Sequence, residues 1–275
     1  MNITAKTKLC IIIGDPVEHS LSPSMHNAAY TALGIDDKFI FVASRVTSEN
    51  LGSVIKSLKV MNVRGITCTI PHKIEVMKCL DEIDETAKKI GAVNSIVNED
   101  GKLKGYNTDW LGIVTPLEKH ISLKGKKAAV IGAGGAAHAM VFGLIEKGAA
   151  VTVFNRTVSN AEELANHFNA TFSDLSDLSV LKDFDVILNA TDVGMGEHIN
   201  ETPVPKEFIQ SHHIIFDAVY IPYETKLLKE AQEVGATVIH GTEMLLHQGM
   251  PQFELYTGMK ASEEVMRKVL IEKSK

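Results

Sequence analysis

The stretch that decides the fold is Ala128-Ala129-Val130-Ile131-Gly132-Ala133-Gly134-Gly135-Ala136-Ala137. A short apolar run enters a glycine turn that opens a helix. Gly132 permits the tight turn, Gly134 lets a backbone approach a pyrophosphate, and small Ala137 lets the helix pack on the strand. The helix N-terminus offers free N–H groups and a positive dipole end to phosphates. Ala139, Met140, Phe142, Leu144 and Ile145 continue an amphipathic helix that Gly148 stops. The next apolar run, Val151-Thr152-Val153-Phe154, ends on Asn155-Arg156-Thr157. In NAD-binding versions of this motif an acidic residue about 20 positions on takes the ribose 2′-hydroxyl. An arginine in that place suits a 2′-phosphate through charge-assisted hydrogen bonds. The stretch therefore reads as the phosphate loop of an NADP-binding domain.

Outward from it, strand and helix signals alternate along the whole chain, which argues for an α/β architecture built on parallel sheets. Residues 8–13, 39–43 and 65–70 read as strands. Ser22-Pro23 reads as a helix cap with proline in the first turn, and Leu51, Val54, Ile55 and Leu58 recur at helical spacing. A helix is expected from Pro71 to Leu80, and a hairpin around Glu99-Asp100-Gly101. Ser159 and Glu162 have the spacing of a capping box. Strands are expected at 185–190, 213–217 and 236–239, and closing helices near Thr242 and Ala261.

At 275 residues the chain is long enough for two domains, and 45% hydrophobic residues can fill their cores. The first boundary falls at the helix starting at Asp109, giving domains over 1–108 and from 109 onward. A net charge of −6 gives no electrostatic reason to expect nucleic acid or an anionic membrane as partner. No apolar run is long enough to span a bilayer, so a cytoplasmic protein is expected. Cys10, Cys68 and Cys79 lack metal or disulfide spacing, and the 11 histidines show no metal-ligand motif, so no metal is expected.

Polar clusters in the first half fall at strand ends, where open α/β sheets place ligand groups. They are Ser20-Leu21-Ser22, Thr69-Ile70-Pro71-His72-Lys73, Ala92-Val93-Asn94 and Asn107-Thr108-Asp109. Ser20 and Ser22 can hold a carboxylate beside a helix start, and Ser22 can cap that helix. Lys73 is a candidate cation for catalysis; Asp109 begins a helix and is also a candidate cap.

In this order, ahead of this glycine loop, the clusters resemble the shikimate dehydrogenase family over essentially the whole chain. The matching segments include His19-Ser20-Leu21-Ser22-Pro23, Pro71-His72-Lys73, Gly91-Ala92-Val93-Asn94, Asn107-Thr108-Asp109, Asn189-Ala190-Thr191, Gly194-Met195, and Gly241 with Met244-Leu245 and Gln248. The resemblance implies NADP-linked interconversion of 3-dehydroshikimate and shikimate in aromatic amino-acid and chorismate biosynthesis. It implies Lys73 and Asp109 as the catalytic pair, with Lys73 the acid and electrostatic stabiliser. Ser20 and Ser22 would take the substrate carboxylate, and Thr67, Thr69, Asn94, Tyr220 and Gln248 would complete the substrate contacts. Gly132, Ala133, Gly134, Gly135, Ala136, Asn155, Arg156, Thr157, Thr191, Gly241 and Met244 would line the cofactor. It further implies a Rossmann-like domain over 109–240, residues 241–275 packing back onto the first domain, and a monomer or homodimer.

Four positions depart from the family pattern. Thr67 stands where asparagine is usual, which keeps quinate open as a substrate, and Asn160 stands where many members carry a second basic residue. A quinate/shikimate dehydrogenase using NAD or both cofactors is thus the alternative. His138 replaces a common arginine, and Asp192 follows Thr191 where a small residue or proline is common.

Overall fold

The apolar runs become strands because each is bounded by turn residues and covered by helices on both faces. The computed structural model describes residues 3–176 and 178–275. The chain divides into two units, one comprising Met1–Thr108 and Gln248–Lys273, the other Asp109–His247 and Ser274–Lys275.

The first unit contains β1 (Lys8–Gly14), α1 (Ser22–Ala32), β2 (Phe39–Arg45), α2 (Leu51–Val60), β3 (Gly65–Cys68), β4 (Glu82–Ile83), α3 (Glu85–Ile90), β5 (Ser95–Glu99) and β6 (Lys102–Tyr106). Its sheet runs β2-β1-β3-β5-β6-β4. β5 is antiparallel to both neighbours, while the other pairs are parallel. The chain between β3 and β5 returns to the edge where β3 ends, which sets β5 against β3. The hairpin at Asp100 (φ 50°) and Gly101 (φ 85°), two successive left-handed residues that match strand twist in a two-residue turn, reverses it again into β6. This arrangement has a functional result: β1, β3 and β6 end, and β5 begins, on the same edge of the sheet. Ile13, Ile55, Ile66, Val76, Ile96 and Leu103 fill the core on one face.

The second unit contains α4 (Asp109–Glu118), β7 (Lys127–Ile131), α5 (Gly135–Glu146), β8 (Ala150–Phe154), α6 (Val158–Phe168), β9 (Thr171–Ser173), β10 (Val186–Asn189), β11 (Ile214–Asp217), α7 (Lys226–Glu233) and β12 (Thr237–Ile239). Its sheet, β12-β11-β10-β7-β8-β9, is parallel throughout. Strand order reverses between β7 and β10, the switch point at which doubly wound sheets open a crevice for dinucleotides. Two closing helices follow, α8 (Gly241–Thr257) and α9 (Glu263–Ser274), and the unit division falls within α8. Among the described residues, no helix is long and apolar enough to cross a membrane.

Three local expectations are corrected. Ser22 is not the cap of α1: Leu21 takes that position, and the Ser20 hydroxyl accepts the Ser22 N–H at 3.3 Å. The segment after Pro71 forms only a 3₁₀ turn, Glu75–Cys79. The Lys73 carbonyl, which an α-helix would offer to Met77, instead accepts the Val93 N–H at 2.8 Å, and Met77 bonds to Ile74. The Ser159–Glu162 capping box does not form, because α6 already starts after Thr157. Helix α3 and the short strands β4 and β9 are additions to the sequence reading; the Asp84 carboxylate caps α3 by accepting the Thr86 N–H at 2.9 Å, and Gly91 closes it at φ 74°.

Candidate active site

In the first unit the polar residues collect on the edge where β5 begins. The register pairs Thr67 with Ser95 and Ser95 with Tyr106, so residues distant in sequence share one line. Backbone bonds then fix the loops: Cys68 N–H donates to the Asn94 carbonyl at 2.9 Å, Thr69 N–H to Ile13 at 3.0 Å and Asn94 N–H to Tyr106 at 3.1 Å. Buried His72 anchors the lysine loop, its Nε2 lying 2.7 Å from the Val46 carbonyl. Lys73 is half-buried beside it, and Ser20 and Thr69 are half-buried on neighbouring loops.

Asn94 is the centre of this edge and is 1% exposed. Its Nδ2 donates to Thr108 Oγ1 at 2.9 Å and to Gln248 Oε1 at 3.3 Å. Thr108 and Asn94 lie in the same unit as Gln248, which the chain reaches only in the middle of α8. Asp109 opens α4 in the second unit and is buried there. Thr67 is buried with its hydroxyl 3.0 Å from the phenol of Tyr256, a partner on α8 absent from the sequence reading. Gln248, Gln252 and Tyr256 recur at four-residue spacing, so they lie along one helix face. That spacing is the signal by which the last two can be found.

In the second unit the glycine turn has the shape a phosphate needs. Gly132 has φ 114°, and an added Cβ would lie 3.0 Å from Thr191 Cγ2 and 3.2 Å from the Ala190 backbone. An added Cβ on Gly134 meets nothing within 4 Å, and α5 begins there without a side-chain cap. Open space over uncapped N–H groups fits a dinucleotide phosphate. Arg156 and Thr157 are exposed after β8, and the Asn155 amide donates to the Thr157 carbonyl at 2.9 Å, shaping that turn.

The loops after β10 and β11 are braced from below. Asn189 Oδ1 accepts from Thr191 N at 3.0 Å and from Thr191 Oγ1 at 2.6 Å, while Asn189 Nδ2 donates to Asp217 at 2.9 Å. Asp217 also accepts from Val219 N at 3.0 Å and Thr225 Oγ1 at 2.6 Å. Burial pushes its carboxyl up to about 6 against these bonds. Gly241 is obligatory for close approach, since a Cβ there would strike the Val219 carbonyl. Met244 is buried one turn further along α8, and Tyr220 is half-buried after β11.

The departures resolve in part. His138 packs against α6, its ring 6.2 Å from that of His167 and 6.1 Å from that of Phe168. Asp192 is exposed; nearby His198 is held toward its charged form first by its pair with Glu201 at 3.0 Å and to a smaller degree by Asp192. Asn160 is exposed on α6. Cys10 and Cys68 are core thiols, which burial pushes up to about 12.

A switch-point glycine turn, in a chain whose other α/β unit gathers hydroxyl, amide and ammonium groups on one sheet edge, is the architecture of a dinucleotide-dependent dehydrogenase. Residues 12–96 match the family model described as shikimate dehydrogenase substrate binding domain, 116–217 that of shikimate / quinate 5-dehydrogenase, and 241–271 that of the shikimate 5'-dehydrogenase C-terminal domain. The chain belongs to the shikimate dehydrogenase family. It is 44% identical over 279 residues to the NADP(+) shikimate dehydrogenase of Methanosphaera stadtmanae, covering 98% of each chain. A crystal structure of a shikimate dehydrogenase in complex with NADP+ superposes with a TM-score of 0.93 at 44% identity, covering 99% of this chain and 98% of that one. The enzyme from Thermus thermophilus, in complex with NADP(H) and shikimate, gives 0.89 at 35% identity, covering 97% and 100%.

Proposed function

We propose that the chain catalyses the reversible NADPH-dependent reduction of 3-dehydroshikimate to shikimate, with Lys73 and Asp109 as the catalytic pair. The reaction belongs to aromatic amino-acid biosynthesis, and the proposed location is the cytoplasm, as a monomer or homodimer. The observation that carries the reading is the 3.3 Å hydrogen bond between Asn94 and Gln248, residues 154 apart in sequence. Both are substrate contacts by family resemblance, and no local preference brings them together.

In this reading the first unit binds substrate and the second binds the dinucleotide. Gly132 to Ala136 cradle the pyrophosphate, Asn155, Arg156 and Thr157 take the 2′-phosphate, and Thr191, Gly241 and Met244 border the nicotinamide half. Bound NADPH supplies a hydride to the ring carbonyl carbon. The Lys73 ammonium donates a proton to the carbonyl oxygen and stabilises the negative charge that develops there. By family resemblance Asp109 bonds a ring hydroxyl of the substrate. Ser20 and Ser22 hold the carboxylate, with Tyr220 closing on the ring. Thr67, Thr69, Asn94 and Gln248 answer the hydroxyls, so an analogue lacking one leaves a buried group unpaired and is rejected.

Initial rates with shikimate and quinate, each with NADP and with NAD, test the assignment. Shikimate with NADP is expected to give the largest kcat/KM. Faster turnover of quinate with NAD would replace it with the quinate reading that Thr67 and Asn160 keep open.

A further inference from the structure

Beneath Asn94 lies a line of buried polar side chains that ends at a histidine far from any solvent. Ser95 Oγ is 2.8 Å from Asn94 Oδ1, Gln252 Nε2 is 2.8 Å from Ser95 Oγ, and His26 Nε2 is 3.2 Å from Gln252 Oε1. Ser95, Gln252 and His26 are each fully buried.

The proton positions along this line follow from one backbone group. The Thr108 N–H, which can only donate, lies 2.9 Å from Asn94 Oδ1 and so fixes which end of that amide is oxygen. Facing that oxygen, Ser95 must spend its single proton on it. Gln252 must then donate to Ser95 through Nε2 and turn Oε1 toward His26. His26 must in turn donate from Nε2, leaving Nδ1 a bare acceptor. The structure agrees at the far end: His26 Nδ1 is buried without a partner, and burial pushes the imidazole down to about 3, keeping it neutral. The ring is clamped by Phe41, stacked at 4.4 Å and 11°.

We propose that Gln252 is a positioning residue for substrate recognition, acting through Ser95 to hold the Asn94 amide with its N–H groups facing Thr108 and Gln248. The relay keeps both Asn94 amide hydrogens on one side, where Thr108 Oγ1 and Gln248 Oε1 accept them, and a substrate oxygen that accepts takes the place of one of these partners. Without Gln252, Ser95 is free to rotate its proton away from Asn94, and the amide loses one of the bonds that define its orientation. The proposal rests on Asn94 being a substrate contact.

A double-mutant cycle tests both layers, using shikimate oxidation by the full chain with NADP. Gln252→Leu is expected to raise the shikimate KM about five- to tenfold, the cost of a mispositioned hydrogen bond, with kcat and the NADP KM within about twofold. Combined with Asn94→Ala, Gln252→Leu is expected to add nothing, because its effect passes through that amide. An equal effect of Gln252→Leu in both backgrounds, or an unchanged shikimate KM, overturns the proposal. An unchanged shikimate KM for Asn94→Ala alone overturns the substrate assignment of Asn94 and the proposal with it. Ser95→Ala cuts the same line by removing one oxygen and serves if Gln252→Leu does not fold; Ser95→Thr, which keeps the hydroxyl, is expected to restore the wild-type KM.

Discussion

The Thr67 hydroxyl lies 3.0 Å from the Tyr256 hydroxyl, both buried, so each answers the other where β3 meets α8. Burial raises the phenol well above its ordinary range, so the pair is neutral across the working pH. Tyr256→Phe leaves the Thr67 hydroxyl without its partner and is expected to cost about 1–2 kcal/mol. Thr67→Val added to it removes the orphan and is expected to cost little more, which urea unfolding of the single and double variants will read. A double variant as unstable as the sum of two independent losses counts against the coupling.

The two loop glycines separate shape from ligand. Gly132 has φ 114° and a crowded Cβ position, so Gly132→Ala is expected to lower both stability and NADP affinity. Gly134 faces open space, so Gly134→Val is expected to leave the melting temperature nearly unchanged while weakening NADP binding by tenfold or more, by about 1.4 kcal/mol. Calorimetric titration beside thermal melts distinguishes them; a Gly134 variant that binds NADP normally removes the loop from the phosphate site.

Lys73→Ala is expected to lower kcat by a factor on the order of a thousand while shikimate KM changes less, since proton donation matters in the transition state rather than in binding. A rise confined to KM makes Lys73 a binding residue alone.

Asp217 gives a pH signature. Its folded-state carboxyl sits at about 6 against an ordinary 3.8. Between those values the folded chain keeps a proton that the unfolded chain has released, so this group's contribution to stability falls as pH rises from about 4 to about 6. Across that window the stability of the wild type relative to Asp217→Asn is expected to fall by roughly 2–3 kcal/mol. Unfolding at a series of pH values measures it, and a flat difference contradicts the burial effect.

What the sequence makes legible is what local physics determines. The glycine turn from Gly132 and the alternation of apolar runs with helical spacing specify the dinucleotide unit, because turn conformation and periodicity reside in adjacent residues. The lysine loop is less legible: its 3₁₀ form depends on the Val93 N–H taking the Lys73 carbonyl, a bond between segments that no local pattern announces. The start of α6 escapes for a smaller reason, since the chain turns helical directly after Thr157 and leaves Ser159 inside the helix. Gln252 and Tyr256 are visible by their spacing from Gln248, yet a polar helix position reads as solvent-facing until the buried side of α8 is known.

The reversed strand β5 has a practical corollary. Because it enters at Ser95 and leaves at Glu99, the Asp100-Gly101 corner is held at the remote rim of its sheet, where an added Cβ on Gly101 meets no neighbour. A fluorophore carried on the exposed Asp100 side chain would sit at the opposite end of β5 from Ser95.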